Sequence, residues 1–477
     1  MSTAWEMVVG LEVHVQLRTR TKAYCACPTS FGDPPNRNTC PTCLALPGAL
    51  PVLNAHAVEL AVRAALALGC TVHERSIFAR KNYFYPDLPK GYQISQADRP
   101  LATGGGLTLA DGTRLGITRL HMEEDAGKSI HDRFAGMTAI DLNRAGVPLI
   151  EIVGEPEIRS AAQAGAYLRA LREVLVFCGV SDGSMEEGSL RVDANVSARP
   201  LGETVFRPRT EIKNLNSFSN VERALELEFR RHVATYEAGG SIGQQTMLFD
   251  AATQQVRAAR SKEGSHDYRY FPEPDLPPLV LAPAWVEAQR DALPELPAAI
   301  RTRWSAAYGL ATAEAEALTA EVEVARYFEA VVATAGDGKA AANWVLGEVA
   351  AARNEAGAGA GAVGFPVEPE RLGALIGLVK GGGLSSTAAK AVFQTMRTDP
   401  STPAVIAERD GLLQVGDDQA LVGWIDEVWA EHPDEAARFA AGEKKLQGVL
   451  VGFVMKKSKG RADPKKVNQL LAGRAGG

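Results

Sequence analysis

The residues best suited to chemistry in this chain are three adjacent carboxylates, Glu123, Glu124 and Asp125. They follow a pattern of alternating apolar residues, which predicts a β-strand that ends in a turn. Three neighbouring negative charges repel one another unless a cation lies close by. A second strand pattern, near the start of the chain, carries Glu12 and His14 on its polar side. Together the two sets predict a site for a hard cation, and a solvated acidic turn is the alternative.

Strand geometry limits which of these groups can share one site. Side chains alternate between the two faces of a strand, so only one of Glu123 and Glu124 is expected to join the residues of the first strand. Asp193 and Glu211, on other polar-faced strands, are further candidates. Oxygen ligands with one imidazole favour Mg²⁺ or Mn²⁺ over zinc.

Four of the six cysteines lie in one short window, as Cys25-Ala-Cys27 and, after twelve residues, Cys40-Pro-Thr-Cys43. Four thiolates on two turns can close a tetrahedral zinc site, so the spacing predicts structural zinc. Disulfides are the weaker alternative in a cytoplasmic chain. Cys70 and Cys178 lie in apolar helical patterns and are predicted to be buried.

The bulk properties are those of an ordinary globular protein. A chain of 477 residues is too long for one core and should form two to four domains. Apolar residues make up 46% and charged residues 23%, and no apolar run reaches membrane-spanning length. The first residues resemble neither a signal peptide nor a transit peptide, so we expect a cytoplasmic protein with no membrane partner.

Charge is distributed unevenly along the chain. Between Glu443 and Arg474 there are nine Lys or Arg residues against two acidic residues, a balance of +7. Because the net charge of the whole chain is −6, the remaining residues carry −13. A basic tail on an acidic body suits a partner that bears phosphates, and a solvated lysine face on a terminal helix is the alternative.

The order of the elements predicts an α+β fold. Strands of period 2 alternate with helices in the first 280 residues; the clearest strands are 11–17 and 190–198, and Asp111-Gly112 marks a hairpin. Asn54, Ser160 and Ser219 are predicted helix caps. After the proline-rich stretch Phe271 to Pro278 the pattern is almost wholly helical, interrupted by a Gly/Ala linker at 356–364. Predicted helices there include Ser386 to Met396 and Gln419 to Glu431.

Several common catalytic patterns are absent from the sequence. It contains no P-loop, no dinucleotide-binding glycine motif and no protein-kinase catalytic loop, so nucleotide chemistry would need another scaffold. Gly383-Leu-Ser-Ser386 precedes a helical pattern and is predicted to be a helix cap rather than an amidase nucleophile. No nucleophile is predicted in this chain.

One longer segment is recognisable. Ile140-Asp-Leu-Asn-Arg-Ala-Gly-Val-Pro-Leu-Ile-Glu-Ile152 resembles the signature of the B subunits of aspartyl/glutamyl-tRNA amidotransferases, the GatB family. Further motifs in the same order agree with it: Gly10-Leu-Glu-Val-His14, Arg80-Lys-Asn-Tyr-Phe-Tyr-Pro-Asp87, Tyr92-Gln-Ile-Ser-Gln96, Met185-Glu-Glu-Gly-Ser-Leu190, Lys213-Asn-Leu-Asn-Ser-Phe218 and Asp267-Tyr-Arg-Tyr-Phe-Pro-Glu-Pro-Asp275. The resemblance is strong to about Pro278 and looser beyond it.

The resemblance implies an architecture and a function. It implies an antiparallel-sheet cradle domain over 1–292, a helical domain over 293–405 and a small helical tail domain over 406–477 that contacts tRNA. It also implies a ligase of protein biosynthesis in a heterotrimer, whose other members are the A subunit, an amidase-type glutaminase, and the small C subunit. Such a complex uses ATP to phosphorylate the side-chain carboxylate of Glu-tRNA(Gln), Asp-tRNA(Asn) or both, and then amidates it with ammonia from glutamine.

Carried onto matching positions, the resemblance assigns roles to particular residues. The Mg²⁺ shell or its second sphere, with ATP nearby, is assigned to Glu12, His14, Glu124, Asp193 and Glu211, with Glu123 and Lys81 close by in the catalytic centre. The tRNA contacts expected in the tail are Lys456, Lys457, Lys459, Lys465 and Lys466.

Two competing functions stay open from the sequence. One is a tRNA-binding scaffold without catalysis, in which the acidic cluster is only structural. The other is a metal-dependent phosphoesterase that acts on RNA.

Overall fold

A computed structural model describes residues 4–96, 98–259, 268–356, 364–414, 417–458 and 460–474. The chain divides into two compact units, Met1–Leu296 and Pro297–Gly477. The first contains all the strands of the described residues and the second is helical, so the predicted α+β class is confirmed. The finer division at 292/293 and 405/406 stays a prediction.

The first unit contains seventeen strands and four helices within the described residues. The strands are β1 (Trp5–Gln16), β2 (Thr71–Val72), β3 (Arg75–Ser76), β4 (Ala79–Asn82), β5 (Tyr92–Ser95), β6 (Ala102–Thr103), β7 (Gly106–Thr108), β8 (Arg114–Glu124), β9 (Lys128–Phe134), β10 (Met137–Asp141), β11 (Pro148–Gly154), β12 (Leu190–Pro200), β13 (Thr210–Leu215), β14 (Gln245–Asp250), β15 (Gln255–Ala258), β16 (Phe271–Pro272) and β17 (Leu279–Val280). The helices are α1 (Ala55–Ala67), α2 (Ala161–Phe177), α3 (Phe218–Glu237) and α4 (Pro283–Asp291).

A ten-stranded sheet forms the centre of this unit, with β1 in its middle. Its order is β15-β14-β13-β12-β1-β11-β8-β6-β2, and β7 pairs with β8. The pairs are antiparallel except for β13 with β14. Three small sheets accompany it, formed by β9 with β10, by β16, β4 and β5, and by β17 with β3.

Side chains alternate along β1 between the apolar core and the opposite face of the sheet. Leu11, Val13 and Val15 are buried in the same apolar cluster as residues of α1, α2 and α3. Glu12 and His14 therefore point to the opposite face. The hairpin predicted at Asp111-Gly112 is confirmed as β7–β8.

Of the three helix caps predicted from the sequence, two are observed at the predicted residue. The side chains of Asn54 and Ser160 cap α1 and α2 as predicted, and accept hydrogen bonds from the backbone N–H of His56 and Gln163. The prediction for α3 was wrong by two residues. Its cap is Ser217, which accepts from the N–H of Asn220, whereas Ser219 lies inside the first turn.

The second unit consists of short helices. They are α5 (Pro297–Tyr308), α6 (Thr312–Leu318), α7 (Val322–Ala335), α8 (Gly338–Trp344), the π-helical turn Val345–Val349, α9 (Ala350–Glu355), α10 (Pro369–Lys380), α11 (Ser386–Met396), α12 (Pro403–Arg409), α13 (Asp418–Glu431), α14 (Pro433–Ala440), α15 (Leu446–Lys457) and α16 (Pro464–Arg474). The predicted cap before α11 is confirmed, because Ser385 accepts from the N–H of Ala388.

The last four helices share an apolar cluster built around Leu421, Phe439, Leu450, Val467 and Leu471. The predicted border at 405/406 falls inside α12. Most of the Gly/Ala linker, 357–363, lies outside the described residues. No helix among the described residues is both long and apolar enough to cross a bilayer.

Candidate functional site

A row of titratable side chains crosses the polar face of the main sheet. His14 on β1 lies opposite Glu151 on β11, and Glu151 lies opposite His121 on β8. Glu123 follows His121 by two residues, which places both on the same face of β8. The antiparallel register thus brings together four groups from distant parts of the chain.

The four side chains approach one another closely. His14 Nε2 lies 3.3 Å from Glu151 Oε2 and 3.9 Å from Glu123 Oε2. His121 Nε2 lies 3.2 Å from Glu123 Oε1 and 3.4 Å from Glu151 Oε2. His14, Glu123 and Glu151 each offer an atom within 4.8 Å of the other two, a spacing that fits one shared metal ion. We call these three residues the His–Glu cluster.

Neighbouring side chains orient the carboxylate of Glu123. Ser95 Oγ and Gln93 Nε2 donate hydrogen bonds to it at 2.7 and 3.2 Å. Both donors belong to β5. Hydrogen bonds of this kind fix the direction of a metal ligand before the ion arrives.

With His121 beside it, the His–Glu cluster sets two carboxylates against two imidazoles. Burial lowers the pKa of His121, but hydrogen bonds to Glu123 and Glu151 outweigh it and raise this pKa to about 9. The pKa of His14 is raised for the same reason, chiefly by Glu151 against the effect of burial. Burial raises the pKa of Glu151, but its bonds to the two imidazoles hold that pKa well below its usual range. The two carboxylates thus favour the protonated form of both imidazoles.

Lys81 on β4 adds a further positive charge beside the cluster. Its Nζ lies 5.1 Å from the ring centroid of Tyr268. Burial lowers the pKa of Lys81, but the charges of Glu123 and Glu151 outweigh it, and this pKa is about 12. Lys81 is therefore an ammonium at neutral pH.

Glu12 lies two residues before His14 on the same face of β1. It sits opposite Asp193 on β12 and accepts a hydrogen bond from Asn195 Nδ2 at 3.1 Å. Burial and then the charges of Glu151, Glu211 and Asp193 raise its pKa. Glu12 thus stands between the His–Glu cluster and a second group of carboxylates.

Asp193 and Glu211 share one cation of the chain itself, which offsets one of their two negative charges. Lys213 Nζ lies 2.7 Å from Asp193 Oδ2 and 2.9 Å from Glu211 Oε1. The structure therefore does not bring these two carboxylates into one group with His14. A lysine occupies the place between them that a metal would need.

Glu124 lies away from the His–Glu cluster. It accepts hydrogen bonds from Lys90 and from the backbone N–H of Ile94, and lines a cavity with Lys22 and Tyr24. The alternation along β8 explains this placement, since it turns Glu124 to the face opposite Glu123. The predicted grouping of Glu124 with Glu12 and His14 is thereby corrected, and Glu123 takes that position.

The four-cysteine window folds into one cluster. Cys25, Cys27, Cys40 and Cys43 offer sulfurs that all lie within 4.8 Å of one another. The Sγ atoms of Cys40 and Cys43 are 3.8 Å apart, about the separation of two ligands in a tetrahedral Zn–S site. A hydrogen bond from Cys25 is the main cause that lowers the pKa of Cys43 to about 4.

Asparagines and a buried lysine attach this cysteine loop (25–52) to the segment 140–146. The Asn36 side chain bonds the backbone of Ile140 and Leu142, and Asn143 accepts from the N–H of Asn38. The fully buried Lys22 donates to the carbonyls of Asn38 and Leu142 at 2.7 and 3.3 Å. The segment first singled out as a family signature thus holds the cysteine loop in place.

Known family profiles match most of this chain. A family profile described as "GatB/GatE catalytic domain" matches residues 7–287, and one described as "GatB domain" matches residues 326–474. The chain belongs to the GatB family.

Three relatives show the extent of this similarity, and each is named as the B subunit of an aspartyl/glutamyl-tRNA(Asn/Gln) amidotransferase. The protein of Geobacter sulfurreducens is 52% identical over 98% of both chains. That of Prosthecochloris aestuarii is 50% identical over 98% of this chain and 97% of the relative. That of Burkholderia multivorans is 49% identical over the full length of both.

The sequence prediction missed three residues that the structure places at or beside the site: Glu151, His121 and Lys213. Glu151 had a signal in the sequence, because it is the one charged residue in the apolar strand Pro148–Gly154. His121 and Lys213 lie two residues from Glu123 and Glu211 on the same strands and so share their faces, but the groups that they meet depend on which strands pair.

In the tail, ion pairs already engage some of the predicted tRNA contacts. Lys457 Nζ lies 2.9 Å from Glu427 and also pairs with Glu431, and Lys466 lies 3.6 Å from Asp418. Lys459 lies outside the described residues. Lys456, Lys465 and Lys466 are exposed, and the first two form no ion pair among the described residues.

Proposed function

We propose that this chain belongs to a tRNA-dependent amidotransferase and is the part of it in which the side-chain carboxylate of a misacylated tRNA is activated and amidated. The family membership supports the amidotransferase, and the His–Glu cluster supports activation at this sheet. A carboxylate is a poor electrophile because its leaving group would be oxide. Transfer of the γ-phosphoryl group of ATP to a carboxylate oxygen releases ADP and creates an acyl phosphate. Ammonia then attacks the acyl carbon, and phosphate leaves.

The donor set of the His–Glu cluster fits a divalent cation. One imidazole and two carboxylates suit Mg²⁺ or Mn²⁺, and Ser95 and Gln93 orient one of the carboxylates. We propose that His14, Glu123 and Glu151 hold Mg²⁺, with Glu12 beside them. Such an ion would neutralise phosphate charge and orient the transferred group.

The chain's own cations have two separate tasks in this proposal. Lys81 would attract the anionic phosphoryl group or the substrate carboxylate, since it is charged and faces the cluster. Lys213 bridges Asp193 and Glu211 and occupies the space between them, so these carboxylates would support the site rather than bind the ion.

The cysteine cluster has a structural rather than a catalytic part. We propose Zn²⁺ bound by Cys25, Cys27, Cys40 and Cys43, since four sulfurs at this spacing fit a closed tetrahedral site. The proposed partners are the glutaminase, or A, subunit, which supplies ammonia, the small C subunit, and tRNA(Gln) or tRNA(Asn). The cytoplasm stays the predicted location.

One assay tests the function against its alternatives. The assembled complex receives ATP, misacylated tRNA and ammonium salt, and both ADP and amidated aminoacyl-tRNA are measured. The proposal expects amidated product that depends on ATP. A scaffold without catalysis predicts no ATP turnover from this chain, and a phosphoesterase predicts RNA cleavage without any need for ammonia. Either result would refute the proposal.

A further inference from the structure

A buried carboxylate, Asp125, lies beside the His–Glu cluster but is not part of it. It directly follows β8 and is 4% exposed. Its Oδ2 accepts a hydrogen bond from Gln16 Nε2 at 2.9 Å, and its two oxygens accept hydrogen bonds from the Arg191 guanidinium at 2.8 and 3.0 Å. We call Gln16, Asp125 and Arg191 the carboxylate brace.

The carboxylate brace connects three parts of the main sheet through side chains. In the order β12-β1-β11-β8, Arg191 belongs to β12 and Gln16 to β1, while Asp125 comes directly after β8. Through the backbone, β1 and β8 are linked by way of β11, which lies between them. The brace therefore adds a direct connection between the end of β8 and the two strands β1 and β12.

The strands that the brace connects carry the two outer donors of the His–Glu cluster. His14 lies two residues before Gln16 on the same face of β1, and it is directly opposite Arg191 on β12. Glu123 lies on β8, two residues before Asp125. His14 Nε2 and Glu123 Oε2 are 3.9 Å apart. This separation depends on how far the end of β8 lies from β1.

The segment 140–147 fixes Asp125 from the other side. The N–H of Asp125 donates to the carbonyl of Val147, and its carbonyl accepts from the N–H of Gly146, both at 2.8 Å. Arg144 donates to two carbonyls of the turn that follows Asp125, at 2.9 and 2.7 Å. The direction of this carboxylate is thus determined by the chain before any ion binds.

The size of the bound ion makes the separation of the donors important. Mg²⁺ requires near-octahedral geometry with ligands at about 2.0–2.1 Å, whereas Ca²⁺ accepts a flexible geometry with ligands at about 2.3–2.6 Å. A site whose outer donors can move apart therefore loses affinity for Mg²⁺ before it loses affinity for Ca²⁺. Partners outside the ligand set typically change metal affinity by about 10- to 100-fold.

We infer that the carboxylate brace positions the two outer donors of the His–Glu cluster and so makes this site selective for a small divalent cation. The inference rests on the proposed function, because it takes the His–Glu cluster as the Mg²⁺ site. Asp125 is a positioning residue rather than a ligand, since Gln16 and Arg191 already engage both of its oxygens.

The test uses substitutions that leave the buried charges balanced. Arg191→Lys keeps the positive charge but loses the two-pronged contact, and Gln16→Ala keeps the ion pair but removes one hydrogen bond. Arg199→Lys is the matched control, because Arg199 is also on β12 and donates to a carboxylate of β1, that of Glu6, at 2.9 Å. Thermal unfolding shows how much stability each variant loses.

Electron paramagnetic resonance titration of the full-length chain with Mn²⁺, with Mg²⁺ and Ca²⁺ as competitors, gives the Kd for each ion. The Mn²⁺ binding that His14→Ala abolishes identifies the signal of the His–Glu cluster.

Arg191→Lys and Gln16→Ala should each raise the Kd for Mg²⁺ roughly tenfold and the Kd for Ca²⁺ by about threefold at most. Arg199→Lys should leave both Kd values unchanged, even if its unfolding temperature falls as far as that of Arg191→Lys. Wild-type Kd values for Mg²⁺ in both brace variants, or an equal rise for Mg²⁺ and Ca²⁺, would overturn the inference, since the brace would then only stabilise the fold.

The failure of the proposed function is a different result. It would appear as wild-type complex that forms no amidated product with ammonium salt. Ion selectivity is measured without tRNA or ATP, so it decides the role of the brace in that case too. If His14→Ala removes no Mn²⁺ binding from the chain, both the metal site and the inference are overturned.

Discussion

At the scale of single residues, the site depends on which of two adjacent glutamates meets His14. Glu123 lies beside His14 and Glu151, whereas Glu124 pairs with Lys90 on the other face of the strand. The two differ by one position in the chain. This makes them an internal control for each other.

We expect Glu123→Gln and His14→Ala to weaken Mn²⁺ binding roughly a hundredfold, because each removes a ligand or its charge. Both should lower tRNA-dependent ATP turnover by about two orders of magnitude, even with ammonium salt present, since activation is lost rather than ammonia delivery. Glu124→Gln should leave Mn²⁺ affinity unchanged. Electron paramagnetic resonance titration with Mn²⁺ checks the binding, and a loss of affinity in Glu124→Gln alone would contradict the assignment.

A buried carboxylate on α3 gives a second prediction at this scale. Glu228 and His232 are fully buried, and Glu228 accepts hydrogen bonds from Thr210 and Arg231 at 2.8 and 2.6 Å. Burial raises the pKa of Glu228, but these bonds and that to His232 outweigh it and lower the pKa from 4.5 to about 2.

Because the folded-state pKa is below the unfolded value, the stabilisation by Glu228 is complete above pH 4.5 and is lost as pH falls toward 2. Its upper limit is roughly 3 kcal/mol. Glu228→Gln should therefore lower the unfolding temperature at pH 7, and the difference from wild type should shrink between pH 4.5 and 3. Glu226→Gln, half-exposed on the same helix, is the control. A difference independent of pH in this interval would rule out this account.

At the scale of elements, the cysteine loop is held at two places. Its four sulfurs form one cluster, and Asn36, Asn38 and Lys22 attach the loop to the segment 140–146. Few of its residues contribute to the main apolar core. The loop should therefore depend on its metal more than the sheet does.

Cys40→Ser should abolish stoichiometric zinc, because a closed site needs all four thiolates. Stability should fall because zinc binding is coupled to folding of the loop, and activity should fall only as a consequence. Elemental analysis measures the zinc, and limited proteolysis should show faster cleavage between residues 25 and 52. Cys178→Ala is the control cysteine outside the cluster. Protein that contains no zinc in its reduced, chelator-free form would end this proposal.

At the scale of the whole molecule, the helices of the basic tail pack around a small apolar core, and its lysines differ in whether they form ion pairs. Lys457 is bound by Glu427 and Glu431, whereas the exposed Lys456 has no ion pair among the residues that the structure covers. Truncation after about Ala440 is expected to weaken tRNA binding and to leave glutamine hydrolysis by the partner intact. It also removes half of the apolar cluster of α13–α16, so single charges give the sharper test.

Lys456→Gln combined with Lys465→Gln should weaken tRNA binding and reduce its salt dependence. The slope of the logarithm of the binding constant against the logarithm of the salt concentration should fall by roughly one unit for each phosphate that is no longer bound. Lys457→Gln should have a smaller effect because its charge is already compensated. Filter binding of tRNA at several salt concentrations measures both quantities. Equal affinity and slope in the double variant and wild type would show that these lysines are a solvated face.

The sequence by itself determined what depends on neighbours in the chain. The alternation in β1 and β12, the caps Asn54 and Ser160, and the window of four cysteines are local patterns, and a few residues suffice to define each. The resemblance of the signature segments also identified the family, which the comparisons confirm.

Only the tertiary structure decided the composition of the site. Strand pairing placed Glu151 and His121 beside His14, although more than a hundred residues of chain separate them from β1. It also placed Lys213 between Asp193 and Glu211. Such contacts follow from the register between strands, and a shift of one residue would turn every side chain to the other face. No local pattern records that register, so the sequence predicted the kinds of residue in the site but not which of them meet.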